Sequence, residues 1–435
     1  MWIDACEISK ITRCGIEDIY TRGEQMKVIS QCVNECMNRN IVLQHQYNNT
    51  WHDYEGAHVL TPTKGVYNCC SLLDFQSLYP SILIAFNICT STYKKNPSEE
   101  VTSIKNHHFR KNPIGLLPGL IGRLLTERKN VKKQLRTCDK SSVTYTVLDR
   151  RQNALKICAN SIYGIMGFKS SKYFGHIGCA ESITAIGRLF LVELVNEIEQ
   201  TYPVKVIYGD TDSCMIWHKN EVSKEEMIDL ANKICEDVTY KLPQPMALNL
   251  ESYYDKVILL SKKRYIMVNE NKLSYKGVMN ARRDYCKYAS NMYEDIMKMI
   301  AKGCNNDDIT DYIDHKIFNL LSGKCDISDL IVTKSVGNLA TYKVKAPHVV
   351  MARRLVNENK MDIPPGTRLE YVFVKGGRTQ GEKMMMPDEV KESNMEIDGM
   401  FYIQKQLTSQ IDDILSVIGL DNYIKNTYVL PNKNK

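Results

Sequence analysis

No apolar run in this sequence is long enough to span a bilayer, so no membrane span is expected. Asp4, Glu7, Lys10 and Arg13 interrupt the start of the chain, and no secretory leader is expected either. Fifteen cysteines are present, an odd number without framework spacing. The nearest groupings, Cys32/Cys36 and Cys69/Cys70, lack the second half that a zinc site needs. A chain of 435 residues does not require disulfide staples, so reduced, mostly buried thiols in an intracellular compartment are expected, without secretion. Internal repeats are lacking, and low complexity is confined to the lysine- and asparagine-rich end, where fraying is expected. The charge excess is small as well: 57 Lys+Arg against 50 Asp+Glu leaves +7. The basic residues nevertheless cluster, in RKNVKK (128–133), SKKRY (261–265), ARR (281–283 and 352–354) and VKGGR (374–378). Spaced clusters suit a phosphate backbone better than a membrane face, although solvated surface is the ordinary reading of any one of them. With 43% hydrophobic and 25% charged residues, this is globular material that splits into roughly two to four packed units.

What is present concentrates in Val204 to His218, VKVIYGDTDSCMIWH. Val204, Val206 and Tyr208 alternate with Lys205 and Ile207, and Cys214 to Trp217 is again apolar after a polar turn. The pattern predicts a β-hairpin with Gly209 in the bend. Asp210 and Asp212 stand at its tip, two residues apart on near-extended backbone and therefore on one side. Like charges that close repel unless a cation lies between them, which makes a divalent metal the simplest explanation. For an isolated Asp-x-Asp a solvated acidic tip is the ordinary reading; a partner elsewhere in the chain shifts the balance.

That partner is Asp74. Val66 to Phe75 (VYNCCSLLDF) reads as a buried strand, and SLYPSILIAFNI follows at once as a helix with Pro80 in its first turn. The carboxylate thus sits where strand gives way to helix. Residues 1–50 read as mixed helix, Thr61 to Gly65 as a turn, and 94–112 as polar and irregular. Leu116 to Thr137 is a long helical pattern striped by Leu117, Leu120, Ile121, Leu124 and Leu125, with Arg128 and Lys132 on one face. A second helix, Thr146 to Tyr163, carries Lys156, Asn160 and Tyr163 as one polar line and is ended by Gly164 and Gly167. Facing each other, the two helices make a cationic cradle for a polyphosphate. Taken singly, each is better read as an amphipathic helix with solvated lysines. Ile177 to Gln200 is a helix expected under the hairpin, and 251–280 a meander of strands. The chain turns helical from Tyr285, with a strand-like patch at Arg368 to Val374 and a last helix at Tyr402 to Ile418.

In this order the segments resemble the family B DNA polymerases. DFQSLYPSI (74–82) resembles the family's first palm motif, KICANSIYGIMGF (156–168) its fingers motif and YGDTDS (208–213) its second palm motif. KKRY (262–265), KGVMNARRD (276–284) and the thumb element VTKSV (332–336) follow in the same order, and the resemblance runs from about Ile8 to Ile424. It implies an α+β fold: a right-hand polymerase with an antiparallel-sheet palm, helical-hairpin fingers and a mainly helical thumb. The implied segments are 1–65, a remnant leading to an N-terminal and exonuclease region; 66–105, palm; 106–170, fingers; 171–285, palm; and 286–435, thumb. The implied activity is DNA-templated extension of a primer 3′-hydroxyl by deoxynucleotides.

The resemblance also implies roles. Asp74 and Asp212 would hold two Mg2+ ions, with the Phe75 carbonyl completing the coordination and Asp210 in support. Ser77, Leu78, Tyr79, Arg128, Lys132, Lys156 and Asn160 would bind the incoming nucleotide, and Lys156 would also protonate the leaving group. Tyr79 would stack beneath the sugar and exclude a 2′-hydroxyl; without the resemblance it is a core tyrosine capping the LYPS turn. Tyr163 and Gly164 would pack on the nascent pair. Tyr208, Gly209, Lys262, Arg264, Tyr265 and Arg282 would lie along primer–template DNA without reading its sequence.

The departures carry expectations too. No Asp-x-Glu of the exonuclease type falls in a plausible strand, Asp4 and Glu7 being wrongly spaced, so proofreading is expected to be absent. A separate exonuclease-bearing chain and a processivity factor are then the expected partners besides DNA. The stretch from Tyr79 to Lys156 is too short for the insertion of protein-primed members, and an ordinary primer terminus is expected. The lack of paired C-terminal cysteine clusters points to a large DNA virus or mobile element, acting in the nucleus or at a viral replication site. Two rivals stay open: a scaffold that grips primer–template or subunits without synthesis, and an incomplete half of a split polymerase. Intact Asp74, Asp212, Lys156 and Asn160 favour the enzyme, since a scaffold needs no matched metal and triphosphate set.

Overall fold

Strand β1 (Gly65–Phe75) gives way to a helix two residues later, as its sequence predicts, and Ser77 makes the corner in the left-handed region at φ 53°. These elements belong to a computed structural model that describes residues 2–42, 52–169, 171, 173–270, 272–278, 285–343, 346–358 and 361–430. The chain packs as two compact units, Met1–Leu60 with Ser71–Tyr253, and Thr61–Cys70 with Tyr254–Lys435. The unit boundaries cut through β1 and through a later strand, so they do not follow the five segments expected above. Among the described residues no helix is long and apolar enough to cross a membrane.

The first unit opens with helices α1 (Trp2–Thr12), α2 (Ile16–Thr21) and α3 (Glu24–Asn38). After β1 comes α4 (Leu78–Ala85), and then three short strands, β2 (Tyr93–Lys94), β3 (Val101–Ile104) and β4 (His107–Arg110). They pair antiparallel in the order β2-β4-β3, where irregular chain was expected. Only Val101 and Phe109 are buried among them, so the alternation that betrays a strand is almost absent.

Helices α5 (Leu116–Thr137) and α6 (Val143–Met166) form a tight antiparallel hairpin. Six residues from Leu116 to Leu124 and then Val131 line the buried face of α5, with Pro118 tolerated in its first turn. The Ser142 hydroxyl accepts the Tyr145 amide at 3.0 Å and starts α6 earlier than expected, while Gly167 caps its C-terminus. Gly164 therefore lies within the helix and does not end it; burial of Ile162, Ile165 and Met166 offsets its cost of about 1 kcal/mol. Helix α7 (Ile177–Thr201) packs against β5 (Val204–Asp210), which turns into β6 (Ser213–His218). Helix α8 (Lys224–Lys241), started by a Ser223/Glu226 capping box, leads to β7 (Leu248–Ser261). The strand order in this unit is β5-β6-β1-β7.

In the second unit the later part of β7 continues into the antiparallel strands β8 (Arg264–Asn269) and β9 (Lys272–Lys276). Next come α9 (Lys287–Lys302), α10 (Asn306–Leu321), α11 (Ile327–Leu330), β10 (Val332–Ser335), α12 (Pro347–Glu358), β11 (Arg368–Phe373), β12 (Met384–Met385), α13 (Pro387–Ser393), α14 (Gly399–Tyr402) and α15 (Thr408–Leu415). The helices share a core centred on Tyr293, Ile313, Tyr402 and Ile414 with the small sheet β10-β11-β12. The single last helix expected from Tyr402 to Ile418 is broken by a π-helical turn at Ile403–Leu407.

Candidate active site

The acidic hairpin forms, with a sharper turn than its sequence suggested. Asp210 pairs with Ser213 and Gly209 with Cys214, so the loop is only Thr211 and Asp212, and Thr211 takes φ 64°. Gly209 is in the ladder, not the bend. The glycine lets Leu60 approach closely: a Cβ there would lie 2.7 Å from Leu60 Cδ1 and 3.2 Å from the Ser213 carbonyl. A register shift between Val206 and Tyr208 turns Ile207 inward as well, which hides the expected alternation.

Backbone bonds then fix β1 to this tip. The Phe75 amide donates to the Asp212 carbonyl at 2.8 Å, and the Gln76 amide to Ala247 at 2.8 Å. Asp74 and Asp212 consequently face one another. Burial, then the charges of Asp212 and Glu251, push the Asp74 carboxyl up to about 7, with Lys156 opposing. Burial is also the first cause that raises Asp212, joined by Asp210 and Glu251 and opposed by a backbone hydrogen bond and Lys156. Asp210 is held beside them by the Tyr208 hydroxyl at 3.4 Å and Thr211 Oγ1 at 3.1 Å. Glu251, an exposed residue of β7, escaped the sequence reading because an acid in a strand has no local mark; only the order β1-β7 reveals it.

On the helical hairpin the expected cations come together. Lys132 is lowered by burial and then by the charges of Arg128, Lys156 and Arg136. Burial lowers Arg128 too, and its Nε is buried without a hydrogen-bond partner. Such an orphaned donor fits an absent anion. Lys156 faces both this group and the two aspartates, and so joins the cationic and acidic halves of the site. Asn160 lies exposed one turn further along α6.

Tyr79 and Tyr163 stack with ring centroids 4.6 Å apart. Burial, then Asp212, raises the Tyr79 hydroxyl to about 12, and Gly187 of α7 makes room for its ring, since a Cβ there would be 3.1 Å from Tyr79 Cε1. Tyr163 is raised by burial and by its hydrogen bond to Tyr54. A Cβ on Gly164 would meet nothing within 4 Å, so the helix surface beside Tyr163 is open. Tyr54 belongs to a strap, residues 52–60, that the sequence reading missed. Arg188 donates to the carbonyls of Glu55 and Gly56, and the Thr211 amide donates to His58 at 3.0 Å.

Several expected DNA contacts are placed elsewhere. Tyr208 is 3% exposed and Gly209 is covered by Leu60, so neither offers a surface to a strand of DNA. Arg264 is engaged within the second unit, with Asp413 at 2.5 Å and Gln410 at 2.9 Å, and anchors its own turn. Lys262 lies in that turn and Tyr265 follows it on β8; Arg282 lies outside the described residues. Ser77 forms the corner before α4, and Leu78 is buried, leaving only its backbone for a ligand. Among the described residues no three acidic, His or Cys side chains are arranged to hold a metal ion by themselves. Two carboxylates with a carbonyl still fit Mg2+, which typically keeps waters and completes its shell with substrate phosphates.

A family model described as DNA polymerase family B matches residues 15–418. The DNA polymerase delta catalytic subunit of Plasmodium falciparum is 35% identical over 445 residues, covering 95% of this chain and 40% of that protein. A DNA polymerase of Thermococcus gorgonarius is 31% identical over 371 residues, covering 84% and 47%. The solved structure of the family B DNA polymerase from the archaeon Pyrobaculum calidifontis matches with a TM-score of 0.73 at 25% identity, over 96% of this chain and 54% of that one. The chain therefore spans 40–47% of the length of these curated relatives. These relatives are eukaryotic and archaeal, and they lend no support to the expected viral affiliation.

Proposed function

This chain belongs to DNA polymerase family B, and from that premise we propose that it extends a primer 3′-hydroxyl on a DNA template with deoxynucleoside triphosphates. The observation that carries the reading is the convergence of Asp74 and Asp212, both raised by burial and by neighbouring carboxylates, with Lys156 facing both. Asp74, Asp212 and the Phe75 carbonyl would hold two Mg2+ ions, whose chemistry is to acidify the 3′-hydroxyl and neutralise the phosphates. Asp210 supports that pair. Arg128, Lys132, Lys156 and Asn160 bind the triphosphate, and Lys156 is placed to give a proton to the departing pyrophosphate. Tyr79, backed by Tyr163, closes the floor beneath the sugar and leaves no room for a 2′-hydroxyl. Lys262 and Tyr265 follow the DNA backbone. Segments 66–105 and 171–285 act as palm, 106–170 as fingers and 286–435 as thumb.

The fifteen free thiols support a reducing, intracellular setting, and the relatives' name as a catalytic subunit supports partner chains. No residue here is assigned to 3′–5′ excision, so a 3′-mismatched primer should persist uncut. The scaffold reading is disfavoured because two raised carboxyls weaken a fold that never uses them. The test is primer extension with Mg2+ by the chain and by Asp212→Asn, with primer–template binding measured alongside. Extension lost by at least about a hundredfold in the variant, with DNA binding kept, is expected. Tight binding without extension by the unaltered chain would replace the enzyme with the scaffold.

A further inference from the structure

The N-terminal helices press an unusual surface against the α5–α6 hairpin. Lys27, Gln31 and Glu35, at successive turns of α3, are 7%, 3% and 2% exposed, so a polar row is buried beside the apolar one of Val28, Cys32 and Cys36. Lys27 pairs with Glu24, and Gln31 meets Cys158 of α6 while its Oε1 is buried without a partner. Glu35 is the hub. Its carboxylate takes Arg39 on its own helix at 2.6 Å and Arg123 of α5 on the other oxygen. Arg39 in turn lies on the backbone of α5, where a Cβ on Gly119 would be 2.2 Å from its Nη2. A cavity of about 290 Å³ opens beside this cluster, lined by Glu7, Arg13, Asn34, Glu127 and Arg151 among others. Beside the apolar contacts of Val28, Cys32 and Cys36, directional ion pairs join the helices there.

Resting on the polymerase reading, we propose that Glu35 is a positioning residue for the triphosphate: through Arg123 it sets the roll of α5 and hence the aim of Arg128 and Lys132. On a helix of 3.6 residues per turn, Arg128 stands about 140° round from Arg123 and Lys132 about 180° round. A roll of α5 about the Glu35 anchor therefore moves both phosphate-binding cations on its far side. Those cations carry like charge side by side, burial and then Arg128 and Lys156 lowering Lys132, so the cradle needs a restraint behind it. Glu127 of α5 is bridged to Arg151 of α6, which ties the two helices to each other, while Glu35 ties α5 to α3.

The test compares Glu35→Gln, Arg123→Gln and the double variant. Single-nucleotide extension gives KM and kcat, and equilibrium binding of an α,β-imido deoxynucleoside triphosphate to the primer–template complex with Ca2+ gives Kd. Arg123 is exposed, so its variant tests the idea even if Glu35→Gln folds poorly. The expected result is a rise of about tenfold in nucleotide KM and Kd in each single variant. Primer–template affinity and kcat should stay within about twofold, and the double variant should be no worse than either single one. Unchanged nucleotide affinity with a lowered melting temperature, or additive losses, overturns the proposal. A wild-type chain that binds nucleotide without extending refutes the polymerase reading while the binding arm still judges Glu35; one that binds no nucleotide overturns both.

Discussion

Asp74 bears the heaviest electrostatic load in the site because it is half-buried beside Asp212 and Glu251. Its folded value, about 7, lies above the ordinary 3.8, so ionisation destabilises the fold: the loss begins near pH 4 and is complete above about pH 7. Without divalent cation, Asp74→Asn should be more stable than the unaltered chain at pH 8, by about 1–2 kcal/mol after solvent screening, and no more stable at pH 3. Urea unfolding at the two pH values reads this directly; equal differences at both would remove the charge explanation. At Tyr79 the expected outcome of an Ala substitution is ribonucleotide incorporation raised by about a hundredfold or more, scored by alkaline cleavage of the extended primer. Unchanged sugar discrimination would return Tyr79 to a core tyrosine. Asp74, Asp212 and Lys156 were legible in the sequence because strand ends and helix faces have a period. Glu251 and Tyr54 were not, because each matters only through the neighbour that the fold brings to it.

Two short elements show how local chemistry holds the larger pieces. Gly277 sits at φ 63°, with the Lys263 carbonyl 2.1 Å from where a Cβ would be, so Gly277→Ala should cost about 2–3 kcal/mol and displace the Lys262–Lys263 turn. A urea midpoint unchanged by the substitution would show that the turn gives way freely. In the first unit Glu181 of α7 takes Lys105 at 2.9 Å and His107 at 3.2 Å from the β3–β4 hairpin. Lys105 first, and the two imidazoles His107 and His52 with it, pull its carboxyl down to about 2. A depressed acid stabilises above its unfolded value, near 4.5, and that contribution is lost as pH falls through about 2. The protection of the β3 and β4 amides, taken relative to their intrinsic exchange rate, should fall over that window, and Glu181→Gln should remove that fall. Long amphipathic elements such as α5 and α7 were found within a residue or two. The polar strands β2–β4 and the π turn at Ile403–Leu407 were missed, since neither a short polar strand nor a shifted hydrogen-bond ladder imprints a period on its side chains.

Over the whole chain, a net charge of +7 with clustered lysines and arginines predicts that primer–template affinity falls steadily with salt on logarithmic axes. Fluorescence anisotropy between about 50 and 200 mM salt checks this, and an affinity indifferent to salt would exclude backbone phosphate as the main contact. Residue order was enough to point to the kind of chain this is, through the resemblance of its ordered motifs, and to single out the acids and cations proposed for its site. The strap at 52–60, the burial that raises Asp74, the burial of Tyr208, the pairing of Arg264 with Asp413 and the ion pairs of Glu35 were settled by folding. Each depends on segments tens to hundreds of residues apart meeting in space, and burial and charge coupling follow distance through the protein, not distance along the chain.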